Sequence, residues 1–371
     1  MRKIVIANDY LKGGGVENVL NNIVKKLIQE KYEIFLMIPN CNQKDLMQEF
    51  GESVTYYPPM RKLKNEKKFT WRWFWDRGLY IIQHQFYKII FAFHDFDVAI
   101  ALKEGPTMIE ISKLHAKKKI AWVHVDYQYM HWTKSCYKSL ESEKKCMQKF
   151  EKVVCVSEAA KQSVIKTIGN PGNLCVRYNP INISDIYKNA EMQCTENEVI
   201  NQILFVTVGR LSPEKNYQLL LDVCEELEKK YTFSLWIIGD GPLKEELKNK
   251  IEKCNIKSVK LLGMQKNPYP FIKMADIFVS SAKWESFGIA IQEALVLGKP
   301  IVAVKCPAVE ETLNSKFGIL VNNDRDALYA AMEQMIMDEE LRNKIENNIK
   351  KFYEIEELYE KRLNDICNLW E

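Results

Sequence analysis

Two glutamates, Glu285 and Glu293, stand eight positions apart in KWESFGIAIQEALVLGKP (283–300), on either side of Gly288. The apolar run ADIFVSS (275–281) precedes them and PIVAV (300–304) follows. Strand, short turn, apolar helix and strand form one unit of a doubly wound parallel sheet. Ligands of such sheets collect at the carboxyl ends of the strands. There the backbone N–H groups of Phe287, Gly288 and Ile289 would stand at a helix N-terminus, a seat for phosphate or sugar hydroxyls. Counted from Glu285, Glu293 lies about two turns on and is rotated by roughly 80°, so both carboxylates can face one cleft. A surface glutamate is ordinarily solvated. Here Ile289, Ala290, Ile291, Ala294, Leu295 and Val296 leave almost no polar face, so Glu293 is expected to be at least partly buried, and a buried carboxylate needs partners.

A second group of reactive residues follows the apolar run ILFVTV. In GRLSPEKN (209–216), Arg210 and Lys215 flank a turn at a strand's carboxyl end. Two fixed cations beside the positive end of a helix suit a diphosphate. The alternative is a helix capped by Ser212 with both charges solvated. Gly13-Gly14-Gly15 also stands between a strand and a helix, but it lacks the G-x-G-x-x-G spacing and no Gly-Lys-Ser/Thr follows, so neither a nicotinamide fingerprint nor a P-loop is present. His124, ending KIAWVHV (119–125) with Asp126 two residues on, is open to two readings: a packed, hydrogen-bonded ring or a group beside reacting atoms. Asp95-Phe96-Asp97 has the D-x-D pattern of a metal site. It leads straight into the run DVAIAL (97–102), so it is read as a strand start and no catalytic metal is expected.

The elements that must position these residues alternate along the chain. KIVIAND (3–9), EIFLMIP (33–39), VTYYP (54–58), DVAIAL, KIAWVHV and KVVCVSE (152–158) read as strands of a first sheet, with helices at 13–30 and 158–169. VRYNPINI (176–183) crosses into a polar stretch, SDIYKNAEMQCTENEVINQ, read as a linker or surface excursion. A second alternation runs from ILFVTVGRL (203–211) through FSLWIIGDGPL (233–243) and VKLLGM (259–264) to GILV (318–321). With 371 residues, two α/β Rossmann-like domains facing across a cleft are expected: 1–184, then 185–352, with a terminal helix, 353–371, docking back on the first.

Composition narrows the class. Ten cysteines without a C-x-x-C pair or zinc spacing read as reduced residues of a cytosolic protein. Met1-Arg2-Lys3 runs directly into a strand and no apolar run reaches bilayer length, so neither a signal peptide nor a membrane span is expected. Residues 1–184 hold 29 Lys+Arg against 18 Asp+Glu and all five histidines, whereas the remainder holds 24 against 31. Such asymmetry suits either an anionic surface met by the first half or two mutually attracting domains. Within that half, residues 60–93 interleave cations and aromatics at a density fit for an anionic bilayer interface; a helix packed on the sheet with a solvated basic loop is the alternative.

Taken together, WESFGIAIQEALVLGKPIVA with its E-x7-E pair, GRLSPEKN, GDGPLKEEL, FIKMADIFVSS, GGGVE and NPI at the crossing resemble the family-four retaining glycosyltransferases of GT-B architecture, of the bacterial surface-polysaccharide type. The resemblance covers most of the chain. It implies that Arg210 and Lys215 hold a diphosphate, that Glu293 binds ribose hydroxyls and that Glu285 meets the donor sugar beside the amides of Phe287, Gly288 and Ile289. The backbone around Met264 would meet the base, Gly14 and Gly15 would approach the phosphates, and His124 matches the family's active-site histidine. The expected activity is transfer from a nucleotide sugar, a uridine-linked co-substrate rather than a cofactor, to a lipid-linked saccharide. No nucleic-acid partner is expected, and the protein is expected to be cytoplasmic and peripheral on the inner membrane face. A GT-B sugar-nucleotide epimerase and a sugar-nucleotide-binding partner without catalysis are the alternatives.

Overall fold

The computed structural model describes residues 2–9, 15–38, 50–57, 95–194, 202–313, 315–353 and 357–370. The chain divides into two compact units, Met1–Tyr178 with Leu363–Glu371, and Asn179–Arg362.

In the first unit β1 (Lys3–Ala7), β2 (Glu33–Met37), β3 (Val54–Tyr57), β4 (Phe96–Ala101), β5 (Ala116–Val123), β6 (Lys152–Cys155) and β7 (Leu174–Val176) form one sheet. Its order is β3-β2-β1-β4-β5-β6-β7 and every pairing is parallel. Ile4, Val5 and Ile6 in β1 and Ala99 and Ile100 in β4 are fully buried. Such near-continuous apolar strands are what a parallel sheet covered on both faces requires. The cover includes α1 (Gly15–Gln29), α2 (Pro106–Ser112), α3 (Leu140–Met147) and α4 (Glu158–Ile168). Val19, Leu20, Ile23, Val24 and Leu27 give α1 a buried stripe of helical period. Strand order reverses between β1 and β4, and the carboxyl ends at such a switch point are where this fold leaves room for a ligand.

The second unit repeats the plan with β8 (Ile203–Val208), β9 (Phe233–Ile238), β10 (Val259–Gly263), β11 (Ile277–Ser280), β12 (Ile301–Val304) and β13 (Gly318–Val321). The order β10-β9-β8-β11-β12-β13 is again all parallel, and its switch point lies between β8 and β11. Nine helices among the described residues follow the crossing: α5 (Ile183–Ala190), α6 (Tyr217–Leu227), α7 (Lys244–Lys253), α8 (Tyr269–Met274), α9 (Ile289–Val296), α10 (Pro307–Thr312), α11 (Arg325–Met337), α12 (Glu339–Tyr353) and α13 (Glu357–Cys367).

Three features differ from the sequence expectation. The polar stretch after residue 183 opens with α5 instead of running as a linker. Asn182 caps it by accepting the Asp185 amide at 3.0 Å, and Ile183, Ile186 and Ala190 bury one stripe. Because α5 packs against α8 and α9, the boundary between the units falls at 178/179, ahead of residue 184. The terminal segment is also divided: residues 353–362 count with the second unit and 363–371 with the first, where Leu363, Ile366, Cys367, Leu369 and Trp370 are buried. Arg177 Nε donates to the Asp365 carbonyl at 2.9 Å within that unit. No helix among the described residues is long and apolar enough to cross a membrane.

Candidate active site

In the second unit the loop after β8 is held by backbone on two sides. The Leu211 amide donates to the Asp240 carbonyl at 3.0 Å, and the Lys283 amide to the Glu214 carbonyl at 2.8 Å. Ser281 Oγ, just beyond β11, donates to the Lys215 carbonyl at 2.8 Å. The loop bridging both strands of the switch point is therefore fixed before any side chain is considered. Ser212 stands at the N-cap of the short 3-10 turn Pro213–Lys215, but its side chain makes no capping bond. Its hydroxyl bonds Glu214 Oε1 at 2.5 Å, and α6 starts later, at Tyr217 behind a left-handed Asn216.

Lys215 reaches across to Glu285, and the two form a close ion pair, each side chain about four-fifths buried. They line a small pocket with Thr207, Tyr217, Ser281 and Ala290. Tyr217 is buried and its hydroxyl is pushed up by that burial. Behind Glu285 lies Cys306, whose buried thiol is pushed up to about 11 and meets the Glu285 backbone. Arg210 is exposed, and no ion pair among the described residues takes its guanidinium.

As expected, α9 begins at Ile289 behind Gly288, so the rotation counted from Glu285 does not apply to the glutamate pair. Gly288 precedes it at φ +72°, a left-handed conformation that favours glycine, and offers no side chain to cap the helix. Glu285 therefore lies in the turn, whereas Glu293 lies inside α9. Glu293 is 9% exposed, and burial raises its carboxyl to about 7. Tyr269 Oη donates to Glu293 Oε1 at 2.9 Å and opposes that rise; burial raises the tyrosine's own hydroxyl. Buried Phe287 has the Arg362 guanidinium over its ring at 5.6 Å. Met264, just past β10, is 67% exposed.

The first unit's switch point is built from different material. His124 follows β5, and its amide donates to Glu104 Oε2 at 2.9 Å. The ring bonds the Leu102 backbone, and because buried Nε2 has no partner, Nδ1 is the donor. Burial pulls the imidazole down to about 4, so it is neutral at pH 7 with Nε2 as a bare acceptor. Asp126 plays no part in holding that ring. Its carboxylate accepts the Gln128 amide at 2.9 Å and turns the chain.

Glu104 was not singled out from sequence. It is fully buried, which pushes its carboxyl up, and it also accepts Trp132 Nε1 at 2.9 Å. One carboxylate thus holds both the His124 backbone and the Trp132 indole. Gly105, at φ +82°, admits the indole; an ideal Cβ there would lie 2.7 Å from the ring. Lys103 covers the indole at 5.3 Å and pairs with Asp9 at 3.4 Å. Buried Glu143 fastens the same loop, accepting from Tyr127 and Thr133 at 3.0 and 2.7 Å and bonding His131 at 2.7 Å. The only sequence signal for Glu104 is a charge directly after an apolar strand.

Gly15 is the first residue of α1, while Gly13 and Gly14 lie outside the described residues, as does the basic and aromatic stretch 60–93. Asp97 accepts the Lys3 amide at 2.8 Å and Lys117 Nζ at 2.7 Å, at the amino end of β4 and far from its ligand-facing end. That carboxylate is a strand anchor, held below its usual range chiefly by Lys117.

Two family descriptions fit the chain: Glycosyltransferase Family 4 over residues 13–185 and Glycosyl transferases group 1 over 192–352. An uncharacterized glycosyltransferase of Methanocaldococcus jannaschii is 28% identical over 221 residues, covering 47% of this chain and 54% of that protein. An N-acetylgalactosamine-N,N'-diacetylbacillosaminyl-diphospho-undecaprenol 4-alpha-N-acetylgalactosaminyltransferase of Campylobacter jejuni is 29% identical over 185 residues, 49% of each chain. The chain thus spans about half the length of these curated relatives. Among solved structures, Anabaena HepE in complex with UDP and glucose superposes with a TM-score of 0.78 at 18% identity, covering 99% of both chains, which shows a shared fold. The chain belongs to the family-4 type of glycosyltransferase, with GT-B architecture.

Proposed function

We propose that this family-4 member moves a sugar from a nucleotide sugar, uridine-linked, to a lipid-linked saccharide in surface polysaccharide assembly, with the anomeric configuration retained. The observation that carries the reading is the second unit's switch point, where Lys215 and Glu285 meet in a pocket at the start of α9. Negative charge grows on the diphosphate as the glycosidic bond breaks. Arg210, Lys215 and the α9 N-terminus are the groups that would stabilise it, so no metal is needed for that role. Glu293 would take the ribose hydroxyls, Glu285 the donor sugar and the backbone by Met264 the base. Retention follows if the diphosphate leaves from the face on which the acceptor hydroxyl attacks. His124, neutral with its buried Nε2 unpartnered, is the active-site histidine that the family resemblance implies.

Support for the acceptor class comes from the Campylobacter relative, whose name describes transfer onto a diphospho-undecaprenol saccharide, and from Arg61, Lys62, Lys64, Lys67 and Lys68 preceding Trp71, Trp73 and Trp75. Each such cation contributes about 1 kcal/mol near an anionic surface. Incubation with a panel of nucleotide sugars, with and without lipid-linked acceptors and with and without EDTA, tests the whole reading. Expected are acceptor-dependent transfer from one uridine-linked donor, undiminished by chelation, and an α-linked product from an α-linked donor. Turnover without acceptor to an epimerised sugar nucleotide would replace the reading with an epimerase.

A further inference from the structure

Lys215 is one of the two cations offered to a diphosphate in the donor site proposed above, and it is paired with an acid. Glu285 is its partner, and among the described residues these are the only charged side chains lining the pocket. The remaining lining includes Thr207, Tyr217, Ser281 and Ala290. Both ends of the pair are anchored through backbone. The Lys215 amide donates to the Ser212 carbonyl at 3.1 Å, its carbonyl accepts from Ser281, and the Glu285 backbone rests on Cys306. The lysine stem runs past Gly209, where a Cβ would stand 3.2 Å from Lys215 Cε. Any exchange of partners must therefore take place in the side chains.

We propose that Glu285 competes with the diphosphate for Lys215, and that an intact donor displaces it by offering sugar hydroxyls in return. The inference rests on the donor site proposed above. When a phosphate takes Lys215, Glu285 loses its counterion and is left partly buried beside a second anion, which is costly. A nucleotide sugar relieves this, because its hydroxyls donate to the released carboxylate. A bare nucleoside diphosphate has no such donor at that place. The pair thus discriminates between intact donor and spent product: it weakens retention of the leaving nucleotide without weakening capture of the sugar-bearing form. The same carboxylate that contacts the donor sugar would then promote product release.

The sign of this effect separates it from ordinary site damage. Any carboxylate near a diphosphate repels it, so a gain in affinity that depends on Lys215 is what marks competition for that cation. Calorimetric titration with uridine, guanosine and adenosine diphosphates first identifies which the wild-type protein binds. Glu285→Gln, and Glu285→Ser as a second variant should the first not fold, should bind that nucleotide about tenfold more tightly, equivalent to about 1.4 kcal/mol. The gain should shrink as salt is raised and should vanish in a Lys215→Met background. Affinity that is unchanged or lower in both Glu285 variants, while Lys215→Met weakens binding, would overturn the displacement and leave the donor site standing. If neither wild type nor variants bind any of the three nucleotides, both readings fall together.

Discussion

The two switch points share a topology and differ in chemistry. At β8/β11 the loops carry an exposed arginine, a half-neutralised lysine and a helix start without a capping side chain, a site with positive charge to offer. At β1/β4, with the end of β5 beside it, the groups are a neutral histidine, a fully buried carboxylate and a locked indole. Exposed Arg210 keeps a charge available in the second unit, whereas burial holds His124 neutral in the first. One layout can therefore supply a charge-stabilising half and a shape-and-hydrogen-bond half, which is why fold alone does not assign roles to residues.

The largest expected effect tests the charged side. Lys215→Met and Arg210→Ala should each lower turnover about 100-fold, or roughly 3 kcal/mol, if they meet charge that grows in the transition state. Donor KM should move much less. Steady-state kinetics within threefold of wild type for both variants would remove the charge-stabilising role from the second unit. Next comes the buried side. Glu104→Gln keeps the shape but leaves the His124 amide or the Trp132 indole with a poorer acceptor, and should cost about tenfold in turnover, with donor KM and nucleotide affinity unchanged. A loss confined to melting temperature would make Glu104 a packing residue only.

The contrast between the units also marks what could be read from sequence. Both sheets were legible because their apolar runs are continuous, as in β1 and β12, and parallel strands buried on both faces have no other pattern. Arg210, Lys215, Glu285 and Glu293 were legible as reactive types at strand ends. Their partners were not. The helix start behind Gly288 was expected where it lies, but nothing in the sequence paired Glu285 with Lys215 or Glu293 with Tyr269. Glu104 was missed because a charged residue after a strand is ordinarily solvated, and only the folded chain brings Trp132 and the His124 amide to it. The α5 stripe was overlooked because Ile183, Ile186 and Ala190 are sparse among polar neighbours.

Titration sharpens the comparison further, because each side has one buried group whose charge state changes in an accessible range. For Glu293 burial raises the carboxyl to about 7, and the ribose hydroxyls would need the carboxylate as acceptor. Binding then favours deprotonation, so affinity should be flat above pH 7 and fall about tenfold per unit below it. Glu293→Gln should abolish that slope. For His124 the folded value is depressed to about 4 from an ordinary 6.5, so the neutral form is the one that fits the fold. Its contribution is present above pH 6.5 and is lost as pH falls from 6.5 toward 4, whatever ligand is bound. Nucleotide affinity should follow Glu293, and the acid shoulder of the melting curve should follow His124. A nucleotide-binding curve without slope between pH 6 and 7 would contradict the first assignment.

The smallest effect expected is at Tyr269, and it tests whether the intermediate charge state of Glu293 is set by more than burial. The tyrosine hydroxyl is the one hydrogen-bond donor to that carboxylate among the described residues, and a donor favours the charged form. Tyr269→Phe removes the donor while keeping the ring that fills α8 against α9. The carboxyl should then rise further. At pH 7 the fraction ready to accept ribose hydroxyls should fall, and nucleotide affinity should drop by about threefold, or about 0.65 kcal/mol. Because the deficit is one of protonation, raising the pH to 8.5 should restore most of it. Purely structural damage would lower affinity equally at both values. Recovery at high pH in Tyr269→Phe, set against no pH response in Glu293→Gln, would locate the titration in this pair; equal losses at pH 7 and 8.5 would assign the tyrosine to packing alone.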